Sequence, residues 1–240
     1  MTDAFDLLLW AVLPYLTLVV LVGGLVWRYR HDRFGWTTRS SQLHESRLLR
    51  IGSPLFHFGL LFVIGGHVAG LLVPASVTRW LGVHDEMYHL VSFTAGGLAG
   101  AGTVVGLGVL LYRRWRTPAV RRATSGDDRL MYPLLAATVL LGMTATVLTR
   151  SIDYDYRATV SPWFRSILLL DPDPSLMSAV PLPYRLHALF AMALFALWPF
   201  SRLVHAFSAP VHYLIRPYIV YRTRDHRLAS RRARPGWDDT

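Results

Sequence analysis

PLFHFGLLFVIGGHVAGLLVP, residues 54–74, decides the fold. It holds no Asp, Glu, Lys or Arg, and about 20 such residues of helix cross the hydrocarbon core of a bilayer. Soluble two-layer folds do not carry apolar helices of this kind, so the stretch reads as a spanning helix with two histidines inside it. Working outward, four further blocks read the same way, and the spans are about 5–27, 54–73, 89–112, 130–149 and 184–206. The expected fold is all-α, an integral membrane bundle of five transmembrane helices over residues 1–206. A basic C-terminal tail, 207–240, follows. Pro54 and Pro183 are expected at helix starts, where a missing N–H is harmless, and Pro74 at the end of the second helix.

Composition agrees. Of 240 residues, 52% are hydrophobic and only 17% charged, outside the range of ordinary soluble domains. There is no cysteine, which excludes disulfides, iron–sulfur clusters held by this chain and thiolate-ligated metals. The net charge is +10, and every basic residue is Arg. In a membrane chain such charge reports topology and does not call for nucleic acid. The start, MTDAFDLLLW, lacks a basic region and a small-residue cleavage site, so it reads as a retained helix. Residues 28–50 and 113–129 carry six Arg each, and the tail from 207 carries seven. The intervening loops, 74–88 and 150–182, carry one and three. The positive-inside rule then puts the N-terminus outside and the C-terminus in the cytoplasm. Loop 150–182, with DYDYR, SPWFRS and DPDP, is long enough for a small outer cap.

Six of the ten histidines lie in loops or at helix ends: His31, His44, His212 and His226 inside, His84 and His89 outside. The other four lie within spans, His57 and His67 in the second, His187 and His205 in the fifth. A polar group in hydrocarbon needs a partner and marks function by default. A single intramembrane His is as readily a hydrogen bond between helices; four in two matched pairs point to ligation. The second helix runs outward and the fifth inward, so antiparallel packing pairs His57 with His205 near the cytoplasm. His67 and His187 pair near the outer face. The spacings are roughly 15 Å on the second helix and 27 Å on the fifth at 1.5 Å per residue. Helix tilt, a kink at Pro199 or tilt of the bound group must absorb the difference. Eighteen residues is five whole turns, which places His187 and His205 on one stripe, whereas His57 and His67 differ by roughly 80°. Zinc wants four ligands in a tetrahedron. Two histidines from facing helices instead fit the axial positions of a flat macrocycle, so two haem b groups with non-parallel planes are expected. Bis-histidine ligation leaves no open site and moves electrons only.

Gly59, Gly65, Gly66, Ala69 and Gly70 flank the first pair of ligands, and Gly66 and Gly70 suit close packing or a bound group equally. Gly96, Gly97, Gly100 and Gly102 in the third span read as helix packing. Arg202, Arg113 and Arg114 are candidate partners for haem propionates, and are topology charges as well.

These histidine motifs, YRLHALFAMALFALWPFSRLVHAF at 184–207 included, with WTTRSSQ at 36–42 and RATSGDD at 122–128, resemble the gamma subunit of respiratory nitrate reductase. The resemblance covers nearly the whole chain. It implies a membrane cytochrome b, multi-pass in the cell membrane of a prokaryote, with His57 and His205 on the inner haem and His67 and His187 on the outer. It further implies oxidation of quinol (menaquinol or ubiquinol) near the outer haem. Electrons would then pass to an iron–sulfur beta subunit and a molybdenum-containing, nitrate-reducing alpha subunit. Gly66 and His67 match positions beside the quinol. The family's quinol-site lysine has no counterpart in a chain without lysine. His89, whose imidazole can donate or accept a hydrogen bond, is a candidate for that role and equally an ordinary interfacial residue. Di-haem subunits of heterodisulfide-reductase-like or sulfite-reduction complexes share this kind of architecture and are the alternative.

Overall fold

The structure, a computed structural model, describes residues 4–36, 41–152 and 154–208, apart from the side chains of Arg33, Thr149, Arg150 and Ser208. The tail from residue 209, with His212 and His226, and residues 37–40 of WTTRSSQ lie outside the described residues. The chain divides into Met1–Phe207 and Ser208–Thr240, and the α-helices described belong to the first.

The described residues form helices and connections, with no strand among them. In order these are α1 (Ala4–His31, with a π-helical turn at Leu8–Val12), α2 (Arg47–Leu72, ending in a π-helical turn at Val68–Leu72) and α3 (Ala75–Trp80). Then come α4 (Asp85–Arg116), α5 (Pro118–Arg122), α6 (Gly126–Ile152), α7 (Val160–Leu168) and α8 (Leu182–Leu197). Of these, α1, α2, α4 and α6 are long and apolar enough to cross a membrane. Acidic Asp85 and Glu86 in the first turn of α4, and Arg113, Arg114 and Arg116 in its last, suit the helix dipole and extend it beyond the expected 89–112.

Several expectations are corrected. Pro54 lies inside α2, not at its start. The helix begins at Arg47, where Glu45 Oε1 accepts from the Leu48 N–H at 2.8 Å, so the polar stretch before Pro54 is already helical. The fifth span, expected over 184–206, is not one helix. α8 stops at Leu197, Trp198–Phe200 is a 3-10 turn, Ser201 is extended (φ −111°, ψ 177°), and Arg202–Ser208 restarts as 3-10. Pro199 is the cause, since it has no N–H and its ring clashes with the preceding turn. His187 and His205 therefore share no helical stripe. Pro183 does open α8, and Pro74 follows the end of α2.

The close-packed pairs are α2 with α4, α4 with α6, α6 with α8, and α8 with α1. Small residues let α2 and α4 approach in antiparallel register: Gly52 faces Leu110, Phe56 faces Gly106, and Gly59 faces Thr103. A Cβ on Gly59 would lie 2.8 Å from the Thr103 backbone nitrogen. Gly100 abuts Met143, but a Cβ on Gly96 or Gly97 would meet nothing within 4 Å, so these two are not packing residues as expected. Side chains such as Val19, Phe62 and Leu98 are more than two-thirds exposed. Apolar exposure on this scale marks a surface that faces lipid or partners.

Two clusters hold the bundle. Phe56, Leu107, Met131, Leu135 and Leu194 join α2, α4, α6 and α8. Trp10, Trp163, Ile167, Met177, Val180 and Met192 fasten the 150–182 cap, including α7, to α1 and α8. Trp163 Nε1 donates to Trp10 O at 2.8 Å, within the π-helical turn of α1.

Candidate functional site

Residues 57 and 67 sit on α2, residue 187 on α8, and residue 205 in the 3-10 segment after the Pro199 break. The structure brings them together in two pairs. The ring centroids of His57 and His205 are 6.0 Å apart with planes at 68°. Those of His67 and His187 are 5.9 Å apart with planes at 35°. Two imidazoles on opposite sides of one metal, at about 2 Å per bond, place their centroids about 6 Å apart.

The outer nitrogen of each ring completes the arrangement. Nδ1 of His57 lies 2.7 Å from Ser53 O, and Nδ1 of His67 lies 2.8 Å from Val63 O. Nδ1 of His187 is 2.9 Å from Thr138 O, and Nδ1 of His205 is 2.6 Å from Arg202 O. A carbonyl only accepts, so each Nδ1 carries the proton and donates it. The lone pair is then on Nε2 in all four rings, the state of a metal-ligating histidine whose other nitrogen is anchored. Among the described residues no group of three or more His, Cys, Asp or Glu is placed to hold a metal. Each pair instead offers two facing imidazoles, a donor set that fits a flat macrocycle able to supply the remaining ligands.

The sequence reading missed what surrounds these rings. Gly142 on α6 lets His187 lie against the helix, since a Cβ there would fall 2.8 Å from His187 Cε1. Its signal was a lone Gly in the apolar run of α6, four residues after Thr138, whose carbonyl takes the His187 proton. Arg28, which reads as a topology charge, is 6% exposed. Its guanidinium donates to Pro199 O, Ser201 O and Gly35 O, so it satisfies carbonyls freed by the break before His205.

The three arginines expected near propionates are all engaged within the protein. Arg113 Nε donates to Glu45 Oε2 at 2.6 Å, and its Nη atoms donate to Ser41 and Glu45. It clamps the loop between α1 and α2 to α4. Arg202 Nε donates to Asp128 Oδ1 at 2.7 Å. Arg114 donates to Thr124 and lies 4.5 Å over the Tyr132 ring. Burial pushes the Glu45 carboxyl up, but bonds from the Leu48 N–H and Arg113 outweigh it and hold it below the usual carboxylate range.

The outer candidates are placed as follows. A Cβ on Gly66 would meet nothing within 4 Å. His89 Nε2 is 3.9 Å from Asp155 Oδ1, with its side chain 35% exposed. Tyr88 Oη and Tyr156 Oη are 3.2 Å apart. Both hydroxyls approach Gly70, one turn beyond His67.

Residues 6–224 match the family described as the nitrate reductase gamma subunit. The chain is 50% identical over 238 residues to the nitrate reductase-like protein NarX of Mycobacterium tuberculosis, a match over 98% of this chain and 36% of that protein. The chain thus spans about a third of that relative's length. It is 48% identical over 218 residues to the nitrate reductase gamma chain of Bacillus subtilis, covering 90% of this chain and 98% of the relative. The respiratory nitrate reductase 1 gamma chain of Escherichia coli is 33% identical over 216 residues, covering 89% and 95%.

Proposed function

This chain belongs to the nitrate reductase gamma subunit family, and from that premise we propose that it is the quinol-oxidising, membrane-anchoring cytochrome b of a respiratory nitrate reductase. The observation that carries the reading is the pair of histidine pairs. Both are about 6 Å apart, and all four Nδ1 atoms face backbone carbonyls. His57 and His205 would hold the inner haem b, His67 and His187 the outer. Bound there, the haems would supply one-electron transfer across the membrane from quinol to a cytoplasmic iron–sulfur beta subunit, and so to a molybdenum-containing alpha subunit that reduces nitrate.

The chain's own work is to orient the rings. The Nδ1–H···O=C bonds fix each ring's tautomer and orientation. His57 and His67 are exposed and His187 and His205 half-buried, so the surrounding lipid and the bound group would have to complete the exclusion of water from the pairs. Quinol oxidation releases two electrons and two protons. A site beside Gly66 and His67, with His89 near, would pass the protons outward. The topology has five crossings in the cell membrane, N-terminus outside, with α8 and the 3-10 turns after it forming the fifth. Arg114 and Arg202 remain the propionate candidates on the inner side.

The test is a reduced-minus-oxidised spectrum with a haem count on purified protein. Two b haems per chain are expected. His67→Ala or His187→Ala should remove one and stop quinol oxidation, and His57→Ala or His205→Ala should remove the other. A colourless wild-type protein, or retention of both haems in His67→Ala, refutes the assignment.

A further inference from the structure

The segment 150–182 is stitched to α1 well below the outer end of that helix. Residues 7–27 of α1 carry no Asp, Glu, Lys or Arg. They make about 32 Å of helix at 1.5 Å per residue, which matches a hydrocarbon core of about 30 Å. Leu7 thus marks the outer edge of that core. Trp163 Nε1 on α7 donates to Trp10 O at 2.8 Å. Deeper along α1, Tyr15 Oη donates to Ile167 O at 3.0 Å. Tyr15 lies about 12 Å past Leu7, and its ring leans back toward the helix start. The carbonyl it grips therefore stands several ångströms inside the apolar run. The 3-10 turn Pro174–Met177 packs beside Ala4–Leu7 again. The chain descends along α1 through α7, turns, and climbs back.

The turn at the bottom is built from leucine. The Leu170 N–H donates to Ile167 O at 3.1 Å and the Asp171 N–H to Ser166 O at 3.0 Å. These bonds form a Schellman helix ending, in which the position of Leu170 is left-handed and usually Gly. Leu170 has φ 61° and is the one non-glycine residue with positive φ among the described residues. A bulky side chain is strained there. Contacts within the chain do little to offset the strain, since Leu168, Leu169 and Leu170 are 53%, 78% and 80% exposed. Ile167 O accepts from both Tyr15 and Leu170, so the exposed leucines are pinned at the depth of the tyrosine hydroxyl. Elsewhere α7 is fixed to protein. Ser161 Oγ donates to Gly70 O at 2.9 Å, and Arg165 Nη1 donates to Leu71 O at 3.0 Å, both at the outer end of α2.

We propose that α7 is a re-entrant anchor, and that Leu168, Leu169 and Leu170 insert among the acyl chains of the outer leaflet. Depth selects lipid as the occupant. So does charge: the three leucines carry none, and the first carboxylates after them, Asp171 and Asp173, are exposed on the stretch that climbs back to the head groups. Trp10, Tyr15 and Trp163 beside them are the residue types of an interfacial aromatic belt. The protein partners of the proposed function dock from the cytoplasm, on the opposite face. The inference rests on the spans; the proposed topology only selects the leaflet, and the haems do not enter.

The test uses the full-length chain, which has no native cysteine, reconstituted in phosphatidylcholine vesicles. A nitroxide is attached at Leu169→Cys. Val19→Cys, at an exposed position in the middle of α1, is the lipid reference. Ser178→Cys, exposed just after the returning turn, is the water reference. Electron paramagnetic resonance reads collisions with oxygen, which concentrates in hydrocarbon, and with a water-soluble nickel chelate. The oxygen-to-nickel ratio at Leu169→Cys should match that at Val19→Cys and exceed that at Ser178→Cys several-fold. A ratio equal to that at Ser178→Cys puts the leucines in water and overturns the inference. Few collisions with either reagent mean that protein, a second copy included, covers them, and overturn it as well. Should Leu169→Cys fail to assemble, Leu168→Cys on the same patch gives the same reading. Water-like collisions at Val19→Cys would instead remove α1 from the spans.

Discussion

Gly142→Ala adds one methyl group where the structure leaves no room for it. Its Cβ would stand 2.8 Å from His187 Cε1 and 3.2 Å from Nδ1. Carbon atoms sit comfortably at about 3.5 Å or more, so the ring must retreat by about 0.7 Å. The retreat has two costs. It stretches the 2.9 Å bond from Nδ1 to Thr138 O, and it displaces Nε2 by more than the roughly 0.2 Å that metal–ligand distances tolerate. Overpacking of this kind costs about 1–3 kcal/mol. The helix itself gains, because Ala is about 1 kcal/mol better than Gly within a helix. Fold stability should therefore change little, while affinity for the outer haem falls by about tenfold per 1.4 kcal/mol. The assay is haem per chain and the reduced-minus-oxidised spectrum, with Gly108→Ala as control, since a Cβ there meets nothing within 4 Å. The expected result is selective loss or distortion of one haem in Gly142→Ala and none in the control. An unaltered outer-haem spectrum in a well-folded variant would refute the placement of His187 against α6.

Arg28→Gln should orphan two buried carbonyls, Pro199 O and Ser201 O, at about 1–3 kcal/mol each. A lowered thermal midpoint and a heterogeneous inner haem signal are expected, and an unshifted midpoint argues against the latch. Pro199→Ala removes the cause of the helix break, so α8 should run on and carry His205 off its partner; a preparation that keeps both haems contradicts this. Glu45 has its carboxyl held below the usual range. The sign follows: its contribution is present above the unfolded carboxylate value of about 4.3 and is lost as pH falls through the lower folded value. Glu45→Gln should flatten the acid limb of a stability profile measured by thermal unfolding, and an unchanged limb would count against the Arg113 clamp.

The sequence disclosed what hydrophobic length and loop charge can disclose. Four long helices, the cap and the proximity of His57 to His205 and of His67 to His187 were readable, because antiparallel direction orders histidines by depth whatever the details. The start of α2 was not, because residues 47–53 are polar enough to resemble a loop and Pro54 resembles a helix start. The break after Leu197 was underestimated. A single proline in an apolar run signals a kink, and only the free carbonyls bound by Arg28 reveal a full interruption. Gly96 and Gly97 misled for a different reason: small size licenses close packing but does not demand it. Thr138 gave no signal at all, since what singles it out is a backbone oxygen.

The two pairs have nearly equal widths, 6.0 and 5.9 Å, although their members are unequally spaced along the two segments. A regular fifth helix cannot be the reason, because the segment is broken at Pro199. Each width must be fixed locally. At the outer end α6 does this, through Gly142 and the Thr138 carbonyl. At the inner end the broken segment is held by Arg28 from α1, by the Asp128–Arg202 ion pair from α6 and by the fully buried Val204. No residue is common to the two sets of supports. Perturbations at well-separated sites without shared partners add, so Gly142→Ala and Arg28→Gln should combine additively in haem content and stability. A strong departure from additivity in the double variant would mean that α6, which contributes different residues to both ends, transmits strain between them despite the break at Pro199.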